Sequence, residues 1–223
     1  MIAIRVQAPY ASFRKSYARS FAESYPFPPP ATVYGMLLSL VGERLRARHA
    51  GVRLAFAYAR KPRITTTLRK LSRYKYGVAG KQEKLGNAPD FIETLCGIDF
   101  LCWIDSAGER ARQQAPVTTP GLEERVARAI EAPEGITRTG VVCLGLSDDA
   151  VDDVALVRQL DGQWHWLSPD QAGGIELPTW VDHVGSLHTR WRRFRFDDGD
   201  ACEIRDAPPQ ERFVEILDPR PPA

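Results

Sequence analysis

The chain has 223 residues and a mass of 25.0 kDa, with 43% hydrophobic and 26% charged residues. That suffices for one large domain, or one domain with a small extension, of ordinary globular composition. The longest apolar run falls far short of the roughly 18 residues of a membrane helix. The N-terminus is too short and strand-like for a signal peptide, and the four cysteines form no CxxC pair for a structural zinc. No cofactor, no membrane and a reducing cytoplasmic compartment are expected.

The formal net charge of +2 conceals an asymmetry. Residues 1–90 carry 17 Lys and Arg against four Asp and Glu, a net of +13; residues 91–223 carry 13 against 24, a net of −11. All six lysines lie in the first part. So positive a half points to a polyanionic partner, most often a nucleic acid. The competing reading is a dipolar chain whose halves attract each other.

In chain order, Ile2 to Gln7 alternates and is rich in β-branched residues, which predicts a strand. The irregular segment from Ala8 to Ala31 interleaves Arg14, Lys15 and Arg19 with Tyr10, Phe13, Tyr17, Phe21 and Tyr25, and ends in a proline-rich run that favours an extended course. A helix is expected to begin with Thr32 as N-cap, because Val33, Met36, Leu37, Leu40, Val41 and Leu45 fall on one face. Gly51 marks its exit, and Val52 to Ala59 alternates as a second strand.

Residues 60–90 are the most basic stretch, with Arg60, Lys61, Arg63, Arg69, Lys70, Arg73, Lys75, Lys81 and Lys84. Thr65 to Thr67 and Tyr74 to Tyr76 favour strands and Gly77, Gly80, Gly86 and Asn87 favour turns, so a long exposed hairpin or loop excursion is expected. Ile98 to Ile104 returns as a strand, Leu122 to Ala132 is a short helix, and Thr139 to Leu146 reads as a buried strand bracketed by glycines. Set aside the excursion and the order is β-α-β-β-α-β, that of an α+β, ferredoxin-like or RNA-recognition fold. After residue 150, strands are expected at Gln163 to Leu167, Ile175 to Trp180, Arg190 to Phe196 and Arg212 to Leu217, as a small appended sheet.

The basic-aromatic stretches have a clear use: cations neutralise phosphates while flat rings stack on unpaired bases. Phe21, Tyr25 and Phe27 serve equally well as anchors that hold a loop to the core. Arg190 to Arg195 is a second basic-aromatic cluster, suited to RNA, a protein partner or a solvated strand face. Gly135 to Gly140 lacks the Lys-Ser/Thr of a phosphate loop and reads as a turn, from which Arg138 could reach a phosphate. The acidic run from Ser147 to Asp153 reads as a capped helix start. His183 and His188 are five apart without the acidic residue of an HExxH pair, and no G-x-S-x-G elbow is present.

Phe13-Arg14-Lys15, the run Ser24 to Pro30, then Ala31 to Leu38 with Gly42, resemble the N-terminal signature of the Cas5 family, the small RAMP-superfamily subunits of type I CRISPR Cascade complexes. Gly140 to Ser147 is similar to that family's glycine-bracketed strand. The resemblance covers most of residues 1–150. It implies an RRM-like RAMP domain over 1–150 with a protruding β-hairpin thumb at about 62–95, and a small β-rich C-terminal extension over 151–223. It implies a subunit that caps the 5′ handle of the crRNA and contacts the large and backbone subunits, with target DNA met indirectly through the complex. On this sequence the RNA-binding residues would be Arg14, Lys15, Arg19, Arg63, Arg69, Lys70, Arg73, Tyr74, Lys75, Tyr76 and Arg138, with Tyr74 or Tyr76 stacking on a base.

One branch of the family cleaves precursor RNA without a metal, through Tyr, Lys and His side chains. This chain has no histidine between residues 60 and 95, and His49 lies among arginines. The first reading is therefore a non-catalytic subunit with no catalytic residue assigned. A metal-independent endoribonuclease and a protein-interaction module without RNA are the alternatives.

Overall fold

In the computed structural model, residues 1–18, 21–73, 86–110, 120–138, 140–182, 187–199, 201–204 and 206–219 are described, with the backbone alone for 70–73 and 86–88. Arg19, Tyr74, Lys75, Tyr76 and His183 lie outside them.

Two strands organise the molecule. β1 (Ile2–Ala11) pairs antiparallel with β5 (Gly86–Asp105) from Ile2 opposite Ile104 to Ala11 opposite Leu95. β3 (Arg53–Tyr58) pairs with the last residues of β5, from Arg53 opposite Asp105 to Tyr58 opposite Phe100. A short edge strand, β6 (Asp153–Leu156), lies along β1 on its other side. Beyond β3 the same sheet continues through β7 (Gln163–Pro169), β9 (Arg190–Phe196) and β8 (Ile175–Trp180), giving the order β6-β1-β5-β3-β7-β9-β8. Strands after residue 150 are thus hydrogen-bonded into the sheet that β1 begins. β2 (Phe21–Ala22) pairs parallel with β5, β10 (Cys202–Glu203) pairs with β7, and β11 (Val214–Glu215) with β3.

Alternation buries the sheet on both faces at its centre. Val52, Leu54, Phe56 and Tyr58 join Ile4, Val6, Ile98 and Phe100 in a core beneath the helices. Their neighbours Ala55, Ala57, Leu101 and Trp103 meet Trp164, Trp166, Ile204 and Phe213 on the opposite face. Two helices stand among the described residues: α1 (Pro30–Leu40), and α2 (Leu122–Glu131), which buries Leu122, Val126 and Ala129.

α1 departs from expectation at both ends. It starts at Pro30, behind Pro29, rather than after a Thr32 cap. Proline at the first helical position loses no hydrogen bond and arrives with helical φ. It stops at Leu40, and Leu45, which continued the apolar spacing, is 65% exposed. Gly42 ends the helix at φ +66, and a Cβ there would lie 2.2 Å from the carbonyl oxygen of Thr137.

A second correction concerns residues 139–153. Residues 140–146 form no strand: Val141 is 69% exposed, and the only pairing in this stretch among the described residues is an isolated Cys143–Ala150 bridge. The edge beside β1 is taken by β6 instead. No helix starts at Ser147 either. The cause is Asp149, which is fully buried and accepts the backbone N–H groups of Ser12 (2.8 Å) and Leu146 (2.9 Å). Its carboxylate closes a turn on the body of the protein where a helix would have left it in solvent.

Candidate nucleic-acid interface

β4 (Arg63–Arg73) runs antiparallel along the first part of β5, from Arg63 opposite Cys96 to Arg73 opposite Gly86. At roughly 3.3 Å per residue the ladder reaches about 33 Å. Among the described residues β4 pairs with β5 alone, and Arg63 to Leu68 are all exposed, so both faces of that part of the strand meet solvent. Threonines and cations suit such an edge: β-branching favours extended backbone, and charge discourages pairing with another chain. Gly97, at φ +68, marks where β5 leaves the ladder and enters the sheet body.

The loop after β1 is held to the base of this ladder. Arg14 and Ser24 form a β-bridge, Ser24 Oγ accepts the Phe13 N–H at 2.9 Å, and the Ser24 N–H donates to Glu93 of β5 at 2.9 Å. Ser12 bonds to Asp149, and Gly145 comes so close that a Cβ there would lie 2.7 Å from the Ser12 carbonyl oxygen. Next to Asp149, Asp148 forms a loose ion pair with Arg69 of β4 at 3.8 Å. The turn at 145–149 thus gathers the Arg14–Lys15 loop and Arg69 into one region.

The charges within that region differ. Arg14 is exposed and donates to the Ala18 carbonyl at 2.8 Å. Lys15 is half-buried, with Nζ 3.0 Å from Glu23 and 5.7 Å from the Tyr17 ring centre. Burial opposes its charge, but hydrogen bonds to Glu23 and Tyr17 outweigh it, so its ammonium is held above its usual pKa. Arg63 is exposed on β4, whereas Lys70 and Arg73 are located by backbone alone. Arg138 stands apart, in a cleft of about 330 Å³ at the C-terminal end of α1 with Arg44 and Arg46.

Of the aromatic residues in the loop, Tyr25 and Phe27 are buried anchors, while Phe21 is 43% exposed and stacks on Phe91 with ring centres 6.5 Å apart. Tyr25 also meets a residue outside the candidate set. Its ring centre lies 5.9 Å from that of Trp191 on β9. The basic-aromatic run at 190–195 was the visible signal for this strand; its contact with Tyr25 is set by strand order. Burial pushes the Tyr25 hydroxyl pKa up to about 12, so it remains a neutral donor.

His49 is fully buried. Its Nδ1 lies 2.7 Å from Glu109 Oε2 and its Nε2 lies 2.8 Å from Arg125 Nη1. Arginine only donates, so Nε2 accepts and Nδ1–H donates to Glu109. Both ring nitrogens are committed to a buried structural network. Among the described residues no group of three or more His, Cys, Asp and Glu is placed to hold a metal ion, and no helix is long and apolar enough to cross a membrane.

Comparison with known proteins gives the family and the fold. A family profile described as "CRISPR-associated protein (Cas_Cas5)" matches residues 1–114. A Myxococcus xanthus (strain DK1622) protein described as "CRISPR-associated protein Cas5" is 36% identical over 219 residues, 97% of each chain. Among solved structures, a chain of a "CRISPR RNA-guided surveillance complex" superposes with a TM-score of 0.60 at 13% identity, covering 94% of this chain and 95% of that one. A second, titled "Crystal structure of Cas protein", gives 0.51 at 16% identity, covering 93% and 99%.

Proposed function

The chain belongs to the Cas5 family of CRISPR-associated proteins, and from that premise we propose that it is a non-catalytic crRNA-binding subunit of a type I Cascade effector. In this reading it caps the 5′ handle of the guide RNA in the cytoplasm and contacts the large and backbone subunits. It meets target DNA only through the assembled complex, whose pairing reads the sequence. The output is RNA-guided defence against foreign DNA.

The observation that carries the reading is the β4–β5 ladder: a long edge, exposed on both faces of β4, beginning at Arg63 and tied through Arg69 to the Arg14–Lys15 loop. We read it as the thumb of a RAMP domain. The order β6-β1-β5-β3, with α1 between β1 and β3 and α2 between β5 and β6, supports a ferredoxin-like core. Residues 1–150 then supply three strands and both helices of the RAMP domain, Asp153–Leu156 supplies its fourth strand, β6, and the rest of 151–223 is a β-rich extension grown onto the β3 edge. The handle would be gripped by Arg14, Lys15, Arg63 and Arg69, with Arg19, Lys70, Arg73, Tyr74, Lys75 and Tyr76 extending the set, while Arg138, in its own cleft, would meet RNA apart from them.

The test is co-expression of the effector subunits with and without this chain, followed by nuclease treatment of the bound guide RNA. Protection of the 5′ handle should vanish when the chain is omitted. A handle protected equally in its absence would refute the capping role.

A further inference from the structure

The geometry points to a stacking site for unpaired RNA nucleotides at the Tyr25–Trp191 pair, with β9 as one wall. The inference rests on the RNA-binding reading above and adds a strand which that reading leaves out.

Trp191 is 41% exposed, whereas Trp103, Trp164, Trp166 and Trp180 are all 8% exposed or less. Burying most of an indole is strongly favourable, so an indole left half in water on a strand surface offers a face to something else. Trp191 is buttressed from behind by Tyr25, tilted at 56°. Clefts open on either side of the pair, and both share Ser16, Tyr25 and Trp191 as walls. The first, of about 480 Å³, adds Phe13, Arg14 and Thr189. The second, of about 490 Å³, adds Lys15, Tyr17 and Glu176. Both lie within the roughly 300–1,000 Å³ range of small-molecule sites.

A nucleotide demands two things together: a flat apolar surface for its base and a cation within reach of its phosphate. Each cleft supplies both, the first through Trp191 and Arg14, the second through Trp191, Tyr17 and Lys15. Arg193 and Arg195 share the Trp191 side of β9; Arg193 stands opposite Glu176, and Arg195 is 2.7 Å from Asp170. Glu23, Glu176 and Asp170 offset much of the positive charge, so stacking dominates here and Coulomb attraction is secondary. This separates the site from the β4 ladder by a measurable property, the salt dependence. Lys15 and Glu176 in the second cleft disfavour an aliphatic protein anchor there, because burying them is costly; in the first, Arg14 is the one charged wall among the described residues.

The experiment titrates the purified chain with a short unpaired oligoadenylate while exciting tryptophan fluorescence, at several salt concentrations. The indole most open to a stacked base is that of Trp191, so binding should quench emission. Trp191→Leu should abolish the quench and weaken binding about tenfold with the salt slope unchanged. Trp191→Phe keeps a stacking ring and should retain most of the affinity without the quench, which separates stacking from misfolding. Binding with no quench and no loss in either variant would overturn the inference, assign the pair to a protein contact and leave the RNA reading standing. Absence of any RNA binding by the wild-type chain would overturn both.

Discussion

Ser12 donates its backbone N–H to Asp149 Oδ2 at 2.8 Å, and this buried bond joins the loop after β1 to the turn that precedes β6. Through it the exposed Arg14 and the ladder cation Arg69, paired with Asp148, occupy one region. The placement of the candidate interface is thus a consequence of one carboxylate, which itself faces no solvent.

Asp149→Ala leaves two N–H groups, of Ser12 and Leu146, without an acceptor. Each such group costs about 1–3 kcal/mol, so urea unfolding should show a loss of about 3 kcal/mol. Asp149→Asn keeps one acceptor oxygen and should lose about half as much. RNA affinity should fall in both, although the residue touches no phosphate, and unchanged stability in the alanine variant would refute the account of this turn.

Glu43 accepts from Arg125 (2.6 Å), Arg48 (2.7 Å) and the Leu45 N–H (2.8 Å). Burial works against its charge, but these donors prevail and lower its pKa from 4.5 to about 2. A carboxyl with a depressed folded pKa adds stability that is present above its ordinary value and lost as pH falls through the folded one. Stability should therefore drop between about pH 4.5 and 2, and Glu43→Gln should flatten that limb while costing about 2 kcal/mol at neutral pH. An acid limb identical in the variant would contradict the assignment.

His49→Ala would strand Glu109, which is fully buried and, among the described residues, otherwise accepts the Leu122 N–H at 2.8 Å. Removing the hydrogen-bond donor of a buried carboxylate costs about 3 kcal/mol, the upper end for an unsatisfied buried polar group. The thermal midpoint should fall accordingly, while the salt slope of RNA binding stays where it was. A variant as stable as the parent, or one with an altered slope, would place His49 in a different role.

Arg63→Ala with Arg69→Ala tests the ladder. If both neutralise phosphates of single-stranded RNA, the slope of log affinity against log salt should shrink by about 1.4. Affinity at moderate salt should drop on the order of tenfold, about 1.4 kcal/mol. An unchanged slope would move the phosphate contacts off β4.

Much of the secondary structure was readable from pattern alone. β3, β7, β8 and β9 match the alternating segments within a few residues, and α2 follows its period of apolar side chains. The failures share a cause. Val141 to Leu144 has strand composition, but Gly140 and Gly145 adopt φ of +84 and +109, and the turn's own Asp149 side chain captures the backbone N–H of Ser12, far away in sequence. Thr32 is a good cap by chemistry, yet three prolines begin the helix sooner by geometry. The loop cations were legible because they interleave with aromatic residues. The Tyr25–Trp191 contact was not, because it depends on which strands become neighbours after residue 150.

The most direct measurement mixes the purified chain with end-labelled repeat RNA in EDTA, beside a scrambled RNA, and reads mobility shift and cleavage on one gel. The account predicts a shift for the repeat, a weaker one for the scrambled RNA, and intact RNA in both lanes. Equal shifts would contradict handle recognition, and site-specific cleavage would make the chain the processing enzyme instead of the cap.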